Sequence, residues 1–105
     1  YKMKPRPAIT PQRPDPQALD SLAQAIGSLR SPEEVIAFLR DLCTPAELEA
    51  MSDRWRVVPL LRDGVPYRDI HQRTGVSVTT TGRVARTLEQ GHGGYAVAID
   101  RLAPR

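Results

Sequence analysis

An all-α domain is the fold this sequence predicts, on three observations. Proline-led helix starts recur at Asp15-Pro16, Ser31-Pro32-Glu33-Glu34 and Thr44-Pro45-Ala46-Glu47, and proline suits the first helical position because the N–H it lacks would be unpaired there anyway. The apolar residues after each start repeat at helical spacing, and no stretch alternates apolar and polar as a half-buried strand does. The run from Tyr67 to Val84 reads as a helix, a glycine turn and a second helix.

The elements follow in order. Residues 1 to 16 hold five prolines and four basic residues. They carry too little apolar surface to offset their ordering entropy, so a disordered, basic, polyproline-like arm is expected ahead of a single domain from 17 to 105. Asp15 and Pro16 supply the N-cap and first position of a helix carrying Leu19, Leu22, Ala23, Ile26 and Leu29 on one face. The capping box at Ser31 opens a helix presenting Val35, Ile36, Phe38, Leu39 and Leu42. Thr44 opens a third by the same device, with Leu48, Met51, Trp55, Val58 and Leu61 at helical spacing. Pro59 falls inside it, at a cost of about 3 kcal/mol; a kink is expected there, with Asp63-Gly64 ending the helix.

In the two-helix unit, Ile70, Thr74, Val76 and Val84 fall where the helices must pack on each other, and Gly75 stands where the turn needs positive φ. The exposed positions between them are Arg, Gln, Ser and Thr, which reach phosphates and base edges, as a helix end entering the DNA major groove must. The other reading of this segment is an αα-hairpin in a helical bundle. His71 fits the motif poorly, standing where a small residue is usual, and Thr81 stands where an apolar one is expected. Thr79-Thr80-Thr81-Gly82 is a weak helix former, so the second helix is expected to be mobile without DNA. Gly91-His92-Gly93-Gly94-Tyr95 then breaks the helix, and a last short one from about Tyr95 to Leu102 is expected to anchor through Val97, Ile99 and Leu102. The glycines make no phosphate loop, because no Lys-Ser/Thr follows them.

At 105 residues with one Trp, one Phe and three Tyr, the chain has a core too small to enclose a large active site and small enough to call for a partner chain. The lone Cys43 cannot form an intramolecular disulfide and reads as a small buried hydrophobe. With two histidines and mostly surface acids, no catalytic set, metal site or cofactor site can be assembled. No segment approaches the roughly 20 apolar residues of a membrane span, and a soluble cytoplasmic protein is expected. Charge is segregated: Arg30 to Asp53 has two arginines against six acids, whereas Arg54 to Arg86 has seven arginines against two aspartates. Positive charge therefore concentrates on and beside the two-helix unit, as phosphate binding requires.

The runs Thr44-Pro45-Ala46-Glu47-Leu48-Glu49-Ala50, Asp53-Arg54, Leu60-Leu61-Arg62-Asp63-Gly64, Tyr67-Arg68-Asp69-Ile70, Thr74-Gly75, Arg83-Val84 and Gly91-His92-Gly93-Gly94-Tyr95 together resemble the Trp repressor superfamily. The resemblance covers about residues 18 to 102 and is closest to the related branch often called YerC/YecD, to which the Gly-X-Gly-Gly-Tyr ending is specific. It implies an intertwined all-helical homodimer whose helix-turn-helix heads project from a shared core. In that family a corepressor is held by a threonine and two arginines, matched here by Thr44, Arg54 and Arg83. Where the tryptophan repressor has glycine after the second arginine, this chain has Val84, which narrows the slot for an indole.

In the usual docking geometry Ser77, Val78, Thr79 and Thr80 face the bases, Gly82 allows close approach, and Arg68 meets a guanine or a phosphate. Gln72, Arg73, Arg83 and Arg86 fall to phosphates. The expected function is thus a repressor-like, sequence-specific transcriptional regulator that binds double-stranded DNA, with either no corepressor or a small molecule other than tryptophan. The rival is a helical protein-interaction module without specific DNA binding.

Overall fold

The computed structural model describes residues 15–104, and the basic arm expected over residues 1 to 16 lies outside them apart from Asp15 and Pro16. Six helices follow one another: α1 Pro16–Gly27, α2 Pro32–Leu42, α3 Pro45–Arg62, α4 Tyr67–Thr74, α5 Val78–Gln90 and α6 Gly94–Leu102. No strand occurs among the described residues. None of these helices is long and apolar enough to cross a membrane.

The first three helices start at side-chain caps. Asp15 accepts from the Gln17 N–H at 3.0 Å and opens α1. At α3 both halves of the capping box form: Thr44 Oγ1 accepts from the Glu47 N–H at 3.1 Å, and Glu47 Oε1 accepts from the Thr44 N–H at 2.7 Å. The box at α2 is rearranged. Ser31 Oγ accepts from the Glu34 N–H at 3.2 Å, but Glu34 Oε1 reaches one residue further back, to the Arg30 N–H at 2.7 Å.

Contacts divide the chain into two units between Leu39 and Arg40. In the first, α1 ends at Gly27 with Ser28 as its C-cap, so Leu29 lies beyond the helix and not on its face. Neither α1 nor α2 buries a residue, and Leu19 and Ile36 are 55% and 50% exposed.

The second unit is built on α3. Against it pack α4, α5 and α6, and α4 packs on α5. Val57 and Val58 of α3 form the core with Ile70, Val76 and Val84, and Trp55, Leu60, Leu61, Val65, Leu88, Tyr95 and Ile99 pack around it. Helix α3 is continuous through Pro59. Its end is a paired glycine turn: Gly64 takes φ 76°, with the Val65 N–H donating to Leu60 O at 3.0 Å and the Gly64 N–H to Leu61 O at 3.0 Å. These bonds satisfy carbonyls that a helix end leaves free, and the left-handed φ explains the glycine.

At the far end, Gly91 caps α5 where an added Cβ would lie 2.5 Å from Thr87 O, so the backbone approach excludes any side chain there. Gly93, at φ 83°, turns the chain into α6. Tyr95 and Ile99 anchor α6, whereas Val97 and Leu102, expected as anchors, are 53% and 72% exposed. Tyr95 and Ile99 are four residues apart and share the face that meets α3, from which Val97 diverges; Leu102, seven residues after Tyr95, shares that face but is the last residue of the helix and lies beyond the core.

The α3 cap has a pH signature. Its hydrogen bonds favour the charged form of Glu47, the one from the Thr44 N–H most, and hold its carboxyl below the ordinary value of 4.5. A lowered folded value means the stabilisation is present above the unfolded value and lost as pH falls through the folded one. Replacing Glu47 with Gln should therefore lower the urea midpoint at neutral pH, and the gap to the parent should close as the pH is taken well below 4.5.

Candidate functional site

The site is the α4–turn–α5 pair. Its inner side is apolar and closed: Ile70 from α4, Val76 from the turn and Thr81 and Val84 from α5 are all buried. The three-residue turn is set by hydrogen bonds as well as by packing. Gly75 takes φ 76° and donates its N–H to His71 O at 2.8 Å. Thr74 donates its hydroxyl to Ile70 O at 2.7 Å and accepts from the Val76 N–H at 3.0 Å, so one side chain ties the helix end to the turn. His71, the poorly fitting residue of the motif, is exposed, and its Nδ1 lies 2.9 Å from Val76 O. A carbonyl oxygen only accepts, so Nδ1 carries the proton and the ring latches α4 to the turn.

Helix α5 forms despite the three consecutive threonines in its first turn. Ser77 caps it, Oγ accepting from the Thr80 N–H at 3.0 Å and donating to Thr80 Oγ1 at 3.0 Å. Thr81, at the expected apolar position, is fully buried and donates its hydroxyl to Ser77 O at 3.0 Å. Bonded in this way, the hydroxyl carries no desolvation penalty and leaves the methyl for the core. The helix runs unbroken from Val78 to Gln90.

The opposite side is polar and open. Arg68, Gln72 and Arg73 of α4 are exposed, as are Ser77, Val78, Thr79, Arg83 and Arg86 at and along α5. Thr80 and Gly82 are half-buried. A Cβ placed on Gly82 would lie 3.8 Å from Tyr67 Cε2, so a tyrosine ring covers this glycine. The ion pairs among the described residues are Arg56–Asp53 at 3.9 Å and Arg62–Asp63 at 3.1 Å, and neither draws an arginine from α4 or α5. The start of α5 adds the partial positive charge of a helix N-terminus, where the first amides have no intrahelical acceptor.

The residues matched to a corepressor site are not gathered in one place by a single chain. Thr44 has its hydroxyl engaged in the α3 cap. Arg54 is half-buried ten residues further along the same helix, about 15 Å of helical rise away. Arg83 lines a cleft of about 230 Å³ with Arg86, Thr87, Gln90 and Gly91. Val84 is 1% exposed and belongs to the core. Sequence reasoning identified the exposed arginines and hydroxyls but missed the His71 latch and the Tyr67 ring over Gly82. Each depends on where a long side chain swings across a turn, which residue spacing does not encode.

Comparison with known proteins places this geometry among relatives. The family described as Trp repressor protein matches residues 17–103. The uncharacterised protein YerC of Bacillus subtilis (strain 168) is 40% identical over 84 residues, which cover 80% of this chain and 81% of YerC. Two crystal structures are similar. One is a TrpR-like protein from Eubacterium eligens ATCC 27750, with a TM-score of 0.77 and 41% identity over 82% of this chain and 89% of that one. The other is a proposed Trp repressor from Staphylococcus aureus, with a TM-score of 0.78 and 38% identity over 84% and 88% of the two chains.

The inner side of the site yields a paired prediction for chemical unfolding. Thr81→Val removes a hydroxyl whose acceptor, Ser77 O, keeps the Thr81 N–H at 2.9 Å, so stability should stay within about 1 kcal/mol of the parent. Val84→Ala instead leaves a cavity in the core and should cost about 2 kcal/mol.

Proposed function

We propose that this chain, which belongs to the Trp repressor family, is a DNA-binding transcriptional regulator that reads the major groove with α4 and α5 and works as a homodimer. The observation that carries the reading is the two-sidedness of the α4–α5 pair. Its inner side is spent on α3, and its outer side offers arginines without acidic partners among the described residues together with short hydroxylated side chains. Arginines there neutralise phosphates, while Ser77, Val78, Thr79 and Thr80 at the N-terminal end of α5 meet base edges and thymine methyls. Gly82 leaves the middle of this side without a side chain of its own. Water-mediated base reading, for which the Trp repressor is the standard example, suits side chains as short as these.

The homodimer is supported by what a single chain leaves uncovered. Leu19 and Ile26 on α1, Ile36 and Leu42 on α2 and Met51 on α3 all remain exposed, and a second copy lying on these helices removes that apolar surface from water.

The regulator either needs no corepressor or uses one other than tryptophan. Val84 fills core space where the tryptophan repressor leaves room with a glycine, and Thr44 already serves as a helix cap. Calorimetric titration with tryptophan should therefore release no binding heat, and a tight interaction lost in Arg54→Ala and Arg83→Ala would overturn this part of the reading.

DNA binding is tested by gel shift at two salt concentrations. Affinity for duplex DNA should fall steeply with salt, Arg68→Ala should weaken binding to every sequence, and Thr79→Ala should change which sequences are preferred. Binding absent at low salt would favour a protein-interaction module instead.

A further inference from the structure

Tyr67 is the one aromatic residue of α4, 41% exposed at the first position of that helix. It lies three residues before the buried Ile70, on the side of α4 that turns towards α5. Its ring reaches across to α5 and covers Gly82, with Cε2 3.8 Å from where a Cβ would stand. Gly82 in turn belongs to the outer strip of α5. Thr79, Gly82 and Arg86 follow at i, i+3 and i+7, and Thr79 and Arg86 are exposed. The buried positions, Thr81 and Val84, lie round the other side of the helix. A phenol is thereby laid into the middle of the face that carries Arg68, Arg83 and Arg86, at the one point where α5 has no side chain.

A purely structural ring at this place would need no hydroxyl, since phenylalanine covers a glycine equally well. A tyrosine ring packed at its flank against a helix and left two-fifths exposed adds a neutral O–H donor to this face. The class of acceptor that fits, beside guanidinium groups and a helix N-terminus, is a phosphate oxygen. We propose that Tyr67, seated on Gly82, is a DNA-backbone contact of this protein, its phenolic hydroxyl donating to a phosphate between the contacts made by α4 and those made by α5. The proposal rests on the DNA-binding reading above. It also gives Gly82 a role distinct from direct approach to DNA: the space above it belongs to the Tyr67 ring.

A neutral donor and a cationic one leave different signatures. An arginine that meets a phosphate releases counterions, so its loss flattens the salt dependence, whereas a hydroxyl releases none. The test is a salt titration of binding to a short mixed-sequence duplex, using the full chain and its Tyr67→Phe and Arg68→Ala variants, each first checked for an unchanged fold by circular dichroism. Tyr67→Phe should bind more weakly by about 10-fold or more at every salt concentration, the range of a hydrogen bond to a charged acceptor, with the parent's slope of log affinity against log salt. Arg68→Ala should flatten that slope by about one. Tyr67→Phe binding like the parent overturns the Tyr67 contact while the DNA reading stands. A parent that binds no duplex at low salt overturns both, and the parent's own curve tells the two failures apart.

Discussion

The packing of Ile70, Val76 and Val84 onto Val57 and Val58 is the interaction on which the rest depends. These five aliphatic side chains come from α3, α4, the turn and α5, and each contributes about 1.5–3 kcal/mol by leaving water. Because the core is this small, no one of them is spare. Their burial sets the spacing of α4 from α5 and turns both helices so that one side faces α3 and the other faces outward. Val84 cannot both fill this core and stand aside for a flat ligand.

A helix that presents polar groups to solvent along most of its length has little apolar burial to hold it together, and α5 meets that constraint with local hydrogen bonds. Ser77 closes its first turn, Thr81 bonds back to Ser77 O, and Thr87 donates to Arg83 O at 3.1 Å. The turn before it is held from α4 by Thr74 and by the His71 ring. Hydroxyl groups in this segment therefore work on two sides: those turned inward or back along the chain keep the helix formed, and the exposed Thr79 faces outward. Charge follows the same division, with the acids of α2 and the start of α3 set apart in sequence from the arginines of α4 and α5.

Much of this was legible in the residues. The proline-led caps located α1, α2 and α3 because a cap is a local device that needs only three or four neighbours. Ile70, Thr74, Gly75, Val76 and Val84 announced the two-helix unit because helix phase and a positive φ are strict requirements. The arginine bias marked the outward side. What stayed hidden depends on longer reach. Glu34 bonds Arg30 instead of Ser31, a choice between two amides one residue apart. Val97 and Leu102 read as anchors by hydropathy alone, yet Tyr95 and Ile99 took the inward side, which leaves Val97 on the other face and Leu102 at the helix end past the core. Pro59 lies inside α3, and the helix ends where Asp63-Gly64 is expected to stop it. The sites on the outward face were named from docking geometry, which no spacing in the chain can test.

The surface opposite this core is the one we propose meets DNA. The most direct test is a titration of isotope-labelled protein with a short duplex at low salt, followed by heteronuclear NMR. Amide shifts should concentrate from Arg68 to Arg73 and from Ser77 to Arg86, with the exposed end of α6 around Leu102 unmoved. Shifts centred on α1 and α2, with α4 and α5 silent, would contradict it.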